Sequence, residues 1–377
     1  MRTRLLTLLA ALGLIAAACN PVDTSQITLE GERTASALGN TWEFDFYRNA
    51  AYGCGLSGNY TFMVMNPADD PNAEAPMWVY LHGGGVGYFA NEGGYVGVRN
   101  QTQDTWNHEE TFDDLYDDQL IRRVFPDNVV VDNTLKRRIE EGYRIVFVSM
   151  CDHDLYSGLS TPYPNNPNPG AEVNGAHATM AAVEFATQNY PTTHVFAHGT
   201  SAGSVGVHTL AQNQADIGQP LTGAIADSYV ITPRLLPVFD VYAGTEGHPM
   251  PANFDADQVT EKIGYFADEN IPSYPEATVG LDDFRATPIL WTGGDVDPFC
   301  AGAETAIAEA AVAGLNNCDW VFDGVRHAVA NQPNSPHQVS IVDGAGHVPT
   351  NRAGVANDIV DDFIDGVLAA NPPSFGS

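Results

Sequence analysis

The sequence predicts a doubly wound α/β fold: a mostly parallel sheet with helices on both faces and insertions that cap one end. Three observations carry this. Six near-continuous apolar runs, 77–81, 144–149, 194–198, 222–226, 288–292 and 338–342, have the character of parallel strands covered on both faces. Helical patterns lie between or after them, at 176–189, 202–213, 301–313 and 353–369. The residues with chemistry to offer stand where the strands end, which is where open α/β sheets bind ligands.

From the N-terminus, Met1-Arg-Thr-Arg is followed by an apolar run from Leu5 to Ile15 and then Ala16-Ala-Ala-Cys19. A basic start, a short apolar core and small residues before a cleavage point read as an export signal. The run is too short to span a bilayer. Cys19 after small residues resembles the bacterial lipobox, with Ala16 in place of the usual Leu. It is the candidate lipidation site, tying the chain to a membrane through acyl chains. The expected address is the bacterial cell envelope, with Asn20 favouring the outer membrane; plain secretion is the alternative. Residues 20–36 read as a polar tether and 37–372 as the folded domain. Thr41–Tyr47 and Tyr60–Met65 alternate, as antiparallel edge strands do.

The next run, Met77–Leu81, ends in His82-Gly-Gly-Gly85. Backbone without side chains can approach a substrate oxygen closely, so the N–H groups of Gly84 and Gly85 are candidate oxyanion donors. An insertion near 86–135 follows, carrying Trp106, Phe112, Tyr116 and Phe125 among many acids. The run 194–198 leads into Gly199-Thr-Ser-Ala-Gly203. Small residues on both sides of Ser201 permit a sharp strand-to-helix turn that lifts its hydroxyl clear and leaves the Ala202 amide as a further donor. The run 222–226 ends at Asp227, and a second insertion near 233–284 follows, rich in Pro, Tyr and Phe. Inserts this long are usually functional, and both are expected to cap Ser201. Tyr88, Phe89 and Tyr229 are expected to line the substrate pocket.

The run 288–292 ends in Gly294-Asp-Val-Asp-Pro298, and the last run ends in a glycine-rich turn that presents His347. A serine hydroxyl needs a base to take its proton, and the base needs an acid to hold its tautomer. Ser201, His347 and Asp297 are assigned these roles, with Asp295 and Asp227 as alternative acids. His82 and His198 are read as supporting or packing residues rather than bases.

Four further cysteines, Cys54, Cys151, Cys300 and Cys318, favour disulfides in an exported chain. Three pairings are open; the local one, Cys300–Cys318, would brace the segment after Asp297 and leave Cys54–Cys151. No Cys-x-x-Cys and no His/Cys cluster of zinc spacing occurs, so neither a metal site nor a cofactor is expected. The formal net charge of −31, with Lys136 and Lys262 the only lysines, excludes nucleic acid and anionic membrane surfaces as partners. It also disfavours strongly anionic substrates, unless a local arginine cluster offsets the field.

At these motifs, in the order Ser, Asp, His, the chain resembles the α/β-hydrolase superfamily across most of residues 40–370. Within it, Trp78–Gly85, Val148–Gly158, Gly199–Gly203 and Ala226–Ser228 resemble blocks of the pectin acetylesterases and Notum-type carboxylesterases, although Val86 stands where an aromatic is usual and Ser204 where a glycine is. The resemblance implies a serine esterase acting on O-acyl esters, with an acyl ester or acylated polysaccharide as substrate. A serine peptidase or acyl transferase on the same core is the alternative, as is an inactive lipid-anchored binding protein.

Overall fold

Residues 22–38, 40–55, 58–67, 70, 72–85, 87–90, 95–97, 109–125, 129–162, 165–228, 286–301 and 314–370 are described by the computed structural model. The export signal with Cys19, most of the second insertion, Tyr229 and the expected helix at 302–313 lie outside them. In chain order the strands are β1 (Ile27–Ala37), β2 (Asn40–Gly53), β3 (Asn59–Pro67), β4 (Ala75–Leu81), β5 (Gly87–Phe89), β6 (Tyr95–Gly97), β7 (Arg144–Val148), β8 (Thr161–Pro162), β9 (Glu172–Val173), β10 (Thr192–Thr200), β11 (Gly223–Asp227), β12 (Ile289–Gly294) and β13 (Gln338–Val342).

Nine of these form one sheet in the order β1-β2-β3-β7-β4-β10-β11-β12-β13. The six runs read as parallel strands are its six parallel members, and β1, β2 and β3 pair antiparallel at one edge. The chain thus has an α/β-hydrolase fold.

Strand alternation explains how both faces are covered. Met77, Val79 and Leu81 of β4 face one core cluster, shared with Ala178 and Ala182 of the helix Gly175–Asn189, Val205 and Val207 of the helix Ala202–Asp216, and Val321 and Phe322 of the helix Asn317–Ala330. Trp78 and Tyr80 face the other, with Leu135 and Ile139 of the helix Thr134–Glu140 and Val360 and Phe363 of the helix Val355–Ala370.

Two elements depart from the expectation. Residues 27–37, all but the last of them in the stretch read as a tether, form an edge strand with ten positions paired on β2. Most of its side chains face solvent, so it has no apolar run to betray it. The helix Asn317–Ala330 was not expected from the sequence. Asn316 caps it by accepting from the Asp319 N–H at 2.7 Å, and Cys318, Val321, Phe322 and Val325 are its buried stripe. Part of the first insertion is core rather than cap: Phe112 and Tyr116 pack edge-on against Phe44 of β2.

Cys54–Cys151 and Cys300–Cys318 are both formed. The first closes a separation of 97 residues and ties the end of β2 to the loop after β7. A loop of that length gives a large restriction of the unfolded chain. The double variant Cys54→Ala/Cys151→Ala is expected to lose about 2–5 kcal/mol in urea unfolding; an unchanged midpoint would contradict this.

Candidate active site

The turn at the end of β10 is set by backbone contact. A Cβ on Gly199 would stand 1.9 Å from the carbonyl oxygen of Gly203, and one on Gly203 would stand 1.9 Å from that of Leu81. Only glycine fits at either position, and the result presses the turn at Ser201 against the end of β4. Ser201 is held at φ 53° and ψ −117°, outside the regions that ordinary residues populate. Such a conformation costs on the order of 1–3 kcal/mol and points to function. Its N–H donates to the Asp227 carbonyl at 2.9 Å. Ala202, buried, opens the helix Ala202–Asp216, where the first N–H groups have no intrahelical acceptor.

The His82–Gly85 turn lies against Ser201. A Cβ on Gly83 would come within 2.9 Å of both Ser201 Cβ and the Thr200 carbonyl oxygen. The Gly83 N–H donates to Thr200 Oγ1 at 3.1 Å. Gly85 adopts φ 88°, which suits glycine. Among the described residues, the N–H groups of Gly84 and Gly85 have no acceptor. His82 braces this turn from beneath: Nδ1 donates to the Gly83 carbonyl at 2.9 Å and Nε2 to Glu110 at 3.2 Å. Burial disfavours its charged form, but Glu110 and that carbonyl outweigh burial and raise its pKa. Glu110 also accepts from the Met150 N–H at 2.9 Å. Sequence reasoning missed Glu110, which stands amid many acids with nothing local to mark it.

His347 follows β13 through the turn at Asp343–Gly346, and its Nδ1 lies 2.7 Å from Asp297 Oδ2. Asp297 is buried, and its other oxygen accepts from the Phe299 N–H at 3.0 Å. The Phe299 ring lies 4.5 Å from the imidazole. Asp295 turns the other way and accepts from the Gly344 N–H at 2.6 Å. Asp227, fully buried, takes both the N–H and the hydroxyl of Thr350. Burial pushes its carboxyl up to about 7, against the Thr350 hydrogen bonds that pull it down. Beside it the Ser228 hydroxyl receives the Val348 N–H at 2.8 Å. Val348 is β-branched and sits at φ 55°, so the chain just past His347 is strained and pinned. His198 is buried with its pKa pushed down by burial to about 3, and its Nε2 lies 3.1 Å from Thr350 Oγ1.

Ser201, Gly83, Gly84, Gly85 and His347 share one cleft of about 640 Å³. Phe89 is buried in the β5–β6 hairpin and is not among the described residues lining that cleft. Tyr88 lies on β5, and its side chain, like the whole of Tyr229, is outside the described residues. From the first insertion, Arg122, Arg123 and Val131 reach the cleft wall, and Asn351 and Arg352 reach it from the turn after His347. These arginines were not singled out in the sequence; only folding brings them to Ser201.

No family model and no curated protein matches the chain. Among solved structures it is similar to an S-formylglutathione hydrolase from Agrobacterium tumefaciens, with 12% identity, 88% of this chain and 98% of that one covered, and a TM-score of 0.44. It is likewise similar to Est1E from Butyrivibrio proteoclasticus, with 14% identity, 90% and 100% covered, and a TM-score of 0.41. For a fungal esterase from Rhizomucor miehei the values are 13%, 93% and 84%, and 0.44. At these scores the likeness carries no argument about activity.

The pH dependence of stability tests the burial of Asp227. A carboxyl whose folded pKa of about 7 exceeds its ordinary 3.8 binds its proton more tightly in the folded chain. Its stabilising effect is full below about pH 4 and is lost as pH rises through about 7. Urea unfolding of the wild type and Asp227→Asn from pH 4 to 7.5 should show the stability difference moving toward the variant as pH rises; a flat difference would mean an ordinary carboxylate.

Proposed function

We propose that this protein is a serine hydrolase of acyl esters. The observation that carries the reading is the shared cleft: a half-buried turn serine, unpaired glycine amides and a carboxylate-bonded imidazole line one cavity. An ionised carboxylate only accepts, so Nδ1 of His347 carries the proton and Nε2 keeps its lone pair. Nε2 then takes the Ser201 proton as Oγ forms a bond to the ester carbonyl carbon. The carbonyl oxygen becomes an oxyanion facing the N–H groups of Ala202 and Gly84 or Gly85, donors of a kind worth roughly 3–4 kcal/mol each. The C–O bond to the alcohol breaks, the alcohol leaves with the proton from Nε2, and water repeats the sequence to release the acid.

Asp297 is the acid in this reading because its carboxylate is the one bonded to His347, while Asp295 holds Gly344 and Asp227 holds Thr350. Asp227 and Ser228 then serve as anchors for the His347 loop. The part of the first insertion that carries Arg122, Arg123 and Val131 serves as a cap at the cleft wall. The resemblance to pectin acetylesterases and Notum-type enzymes stays at the motifs, and no pectin substrate is assigned. The basic, apolar and small-residue start supports an envelope address with Cys19 as the anchor, and two disulfides suit an oxidising compartment.

Hydrolysis of p-nitrophenyl acetate tests the assignment. Ser201→Ala should lose at least about 10³-fold in kcat. Asp297→Asn should lose about 10⁴-fold through the wrong tautomer, with Asp295→Asn within a few fold of wild type. Equal rates for wild type and Ser201→Ala would overturn the function. A near-normal Asp297→Asn beside a dead Asp227→Asn would overturn the choice of acid.

A further inference from the structure

The chain carries 47 acidic against 16 basic residues, yet the described lining of the cleft holds three arginines, Arg122, Arg123 and Arg352, and not one Asp or Glu. Arginines without carboxylates on the described lining are a local departure from the charge of the chain as a whole.

The pairing of these arginines sharpens the point. Arg122 is exposed and bonded to Asp118 at 3.0 Å. Of the other described arginines, Arg33, Arg48, Arg137, Arg138 and Arg326 each hold a carboxylate. Arg144 is committed to Asn66 and backbone carbonyls. Arg123 and Arg352 have no carboxylate partner among the described residues. The Nε of Arg123 is buried and without a hydrogen-bond acceptor. A cleft-lining guanidinium with no carboxylate partner keeps N–H donors for an acceptor brought by a ligand.

The two are also held in fixed relation. Arg123 lies in the short helix Arg122–Val124 of the first insertion, and Arg352 follows the turn Pro349–Asn351 just beyond His347. Buried Asn133 bridges the two segments, donating to the Arg123 carbonyl at 2.7 Å and toward the Asn351 carbonyl at 3.5 Å.

We propose that Arg123 and Arg352 form an anion subsite of this cleft, so that the preferred substrate is an ester bearing a carboxylate or another oxyanion such as sulfate or phosphate. The planar fork of guanidinium matches paired oxygens of this kind. The inference rests on the ester-hydrolase reading and names the substrate class for it. The charged group belongs to the acyl or to the alcohol portion, and matched substrates separate the two.

The experiment compares kcat/KM for two pairs. 4-Acetoxybenzoate against its methyl ester places the charge on the alcohol side; p-nitrophenyl hydrogen adipate against its methyl ester places it on the acyl side. In the wild type at low salt, one pair should show at least a 10-fold preference for the charged member, falling in 0.5 M NaCl as the pair is screened. Arg352→Gln, at an exposed position, and Arg123→Gln should each cut that ratio at least fivefold, with folding checked by circular dichroism. Arg352→Glu should cut it further, and keeps the test decisive if Arg123→Gln does not fold. No preference in the wild type, or a ratio unmoved by the Arg352 variants, would overturn the subsite. So would equal losses on charged and neutral esters, which would make the arginines a general support for the oxyanion. Ser201-independent hydrolysis of the neutral esters would be a failure of the ester-hydrolase reading itself.

Discussion

Two backbone approaches govern the rest of the molecule: Gly199 against the carbonyl of Gly203, and Gly203 against the carbonyl of Leu81. A methyl group at either place would overlap a carbonyl oxygen, so the chain can make this crossing only with glycine. The crossing does two things at once. It forces Ser201 into a left-handed conformation at the mouth of the sheet, and it brings the end of β10 onto the end of β4. The serine and the glycine turn at His82–Gly85 are therefore positioned by the same contact. Their relative placement depends on main chain rather than on side chains that can swing.

The histidine side of the cleft is held by a different kind of force. Asp227 and Ser228, at the end of β11, take the N–H groups of Thr350 and Val348. These bonds fix the backbone on the far side of His347, while Asp297 fixes its ring and the Cys300–Cys318 disulfide holds the segment after Asp297. A strained Val348 is tolerated because so many buried partners determine it. In the ester-hydrolase reading, this polar scaffold lets a loop hold an imidazole as firmly as a strand would.

The parallel strands were legible because a strand covered on both faces is buried along its whole length and so mostly apolar, as β7 and β12 are. The edge strand Ile27–Ala37 was not, because pairing on one side needs only backbone groups and leaves polar side chains in water. The helix Asn317–Ala330 carried a readable signal in its Asn316 cap and its Cys318, Val321, Phe322 and Val325 stripe. The three strand-end carboxylates, Asp227, Asp295 and Asp297, look alike in sequence and differ only in the partners that folding gives them. Glu110, Arg123 and Arg352 were illegible for the same reason, since their meaning comes from residues far away in the chain. The acidity of the chain is a property of its whole surface, and the cleft departs from it.

Covalent trapping tests the central claim most directly: that Ser201 is an activated nucleophile because of its turn and its neighbours. The measurement is the rate and position of modification by a fluorophosphonate, read by peptide mass spectrometry on folded wild type and His347→Ala. The account predicts one adduct, on Ser201, formed at least about 10²-fold more slowly without the imidazole. An adduct on another serine, or a folded wild type that never labels, would contradict it.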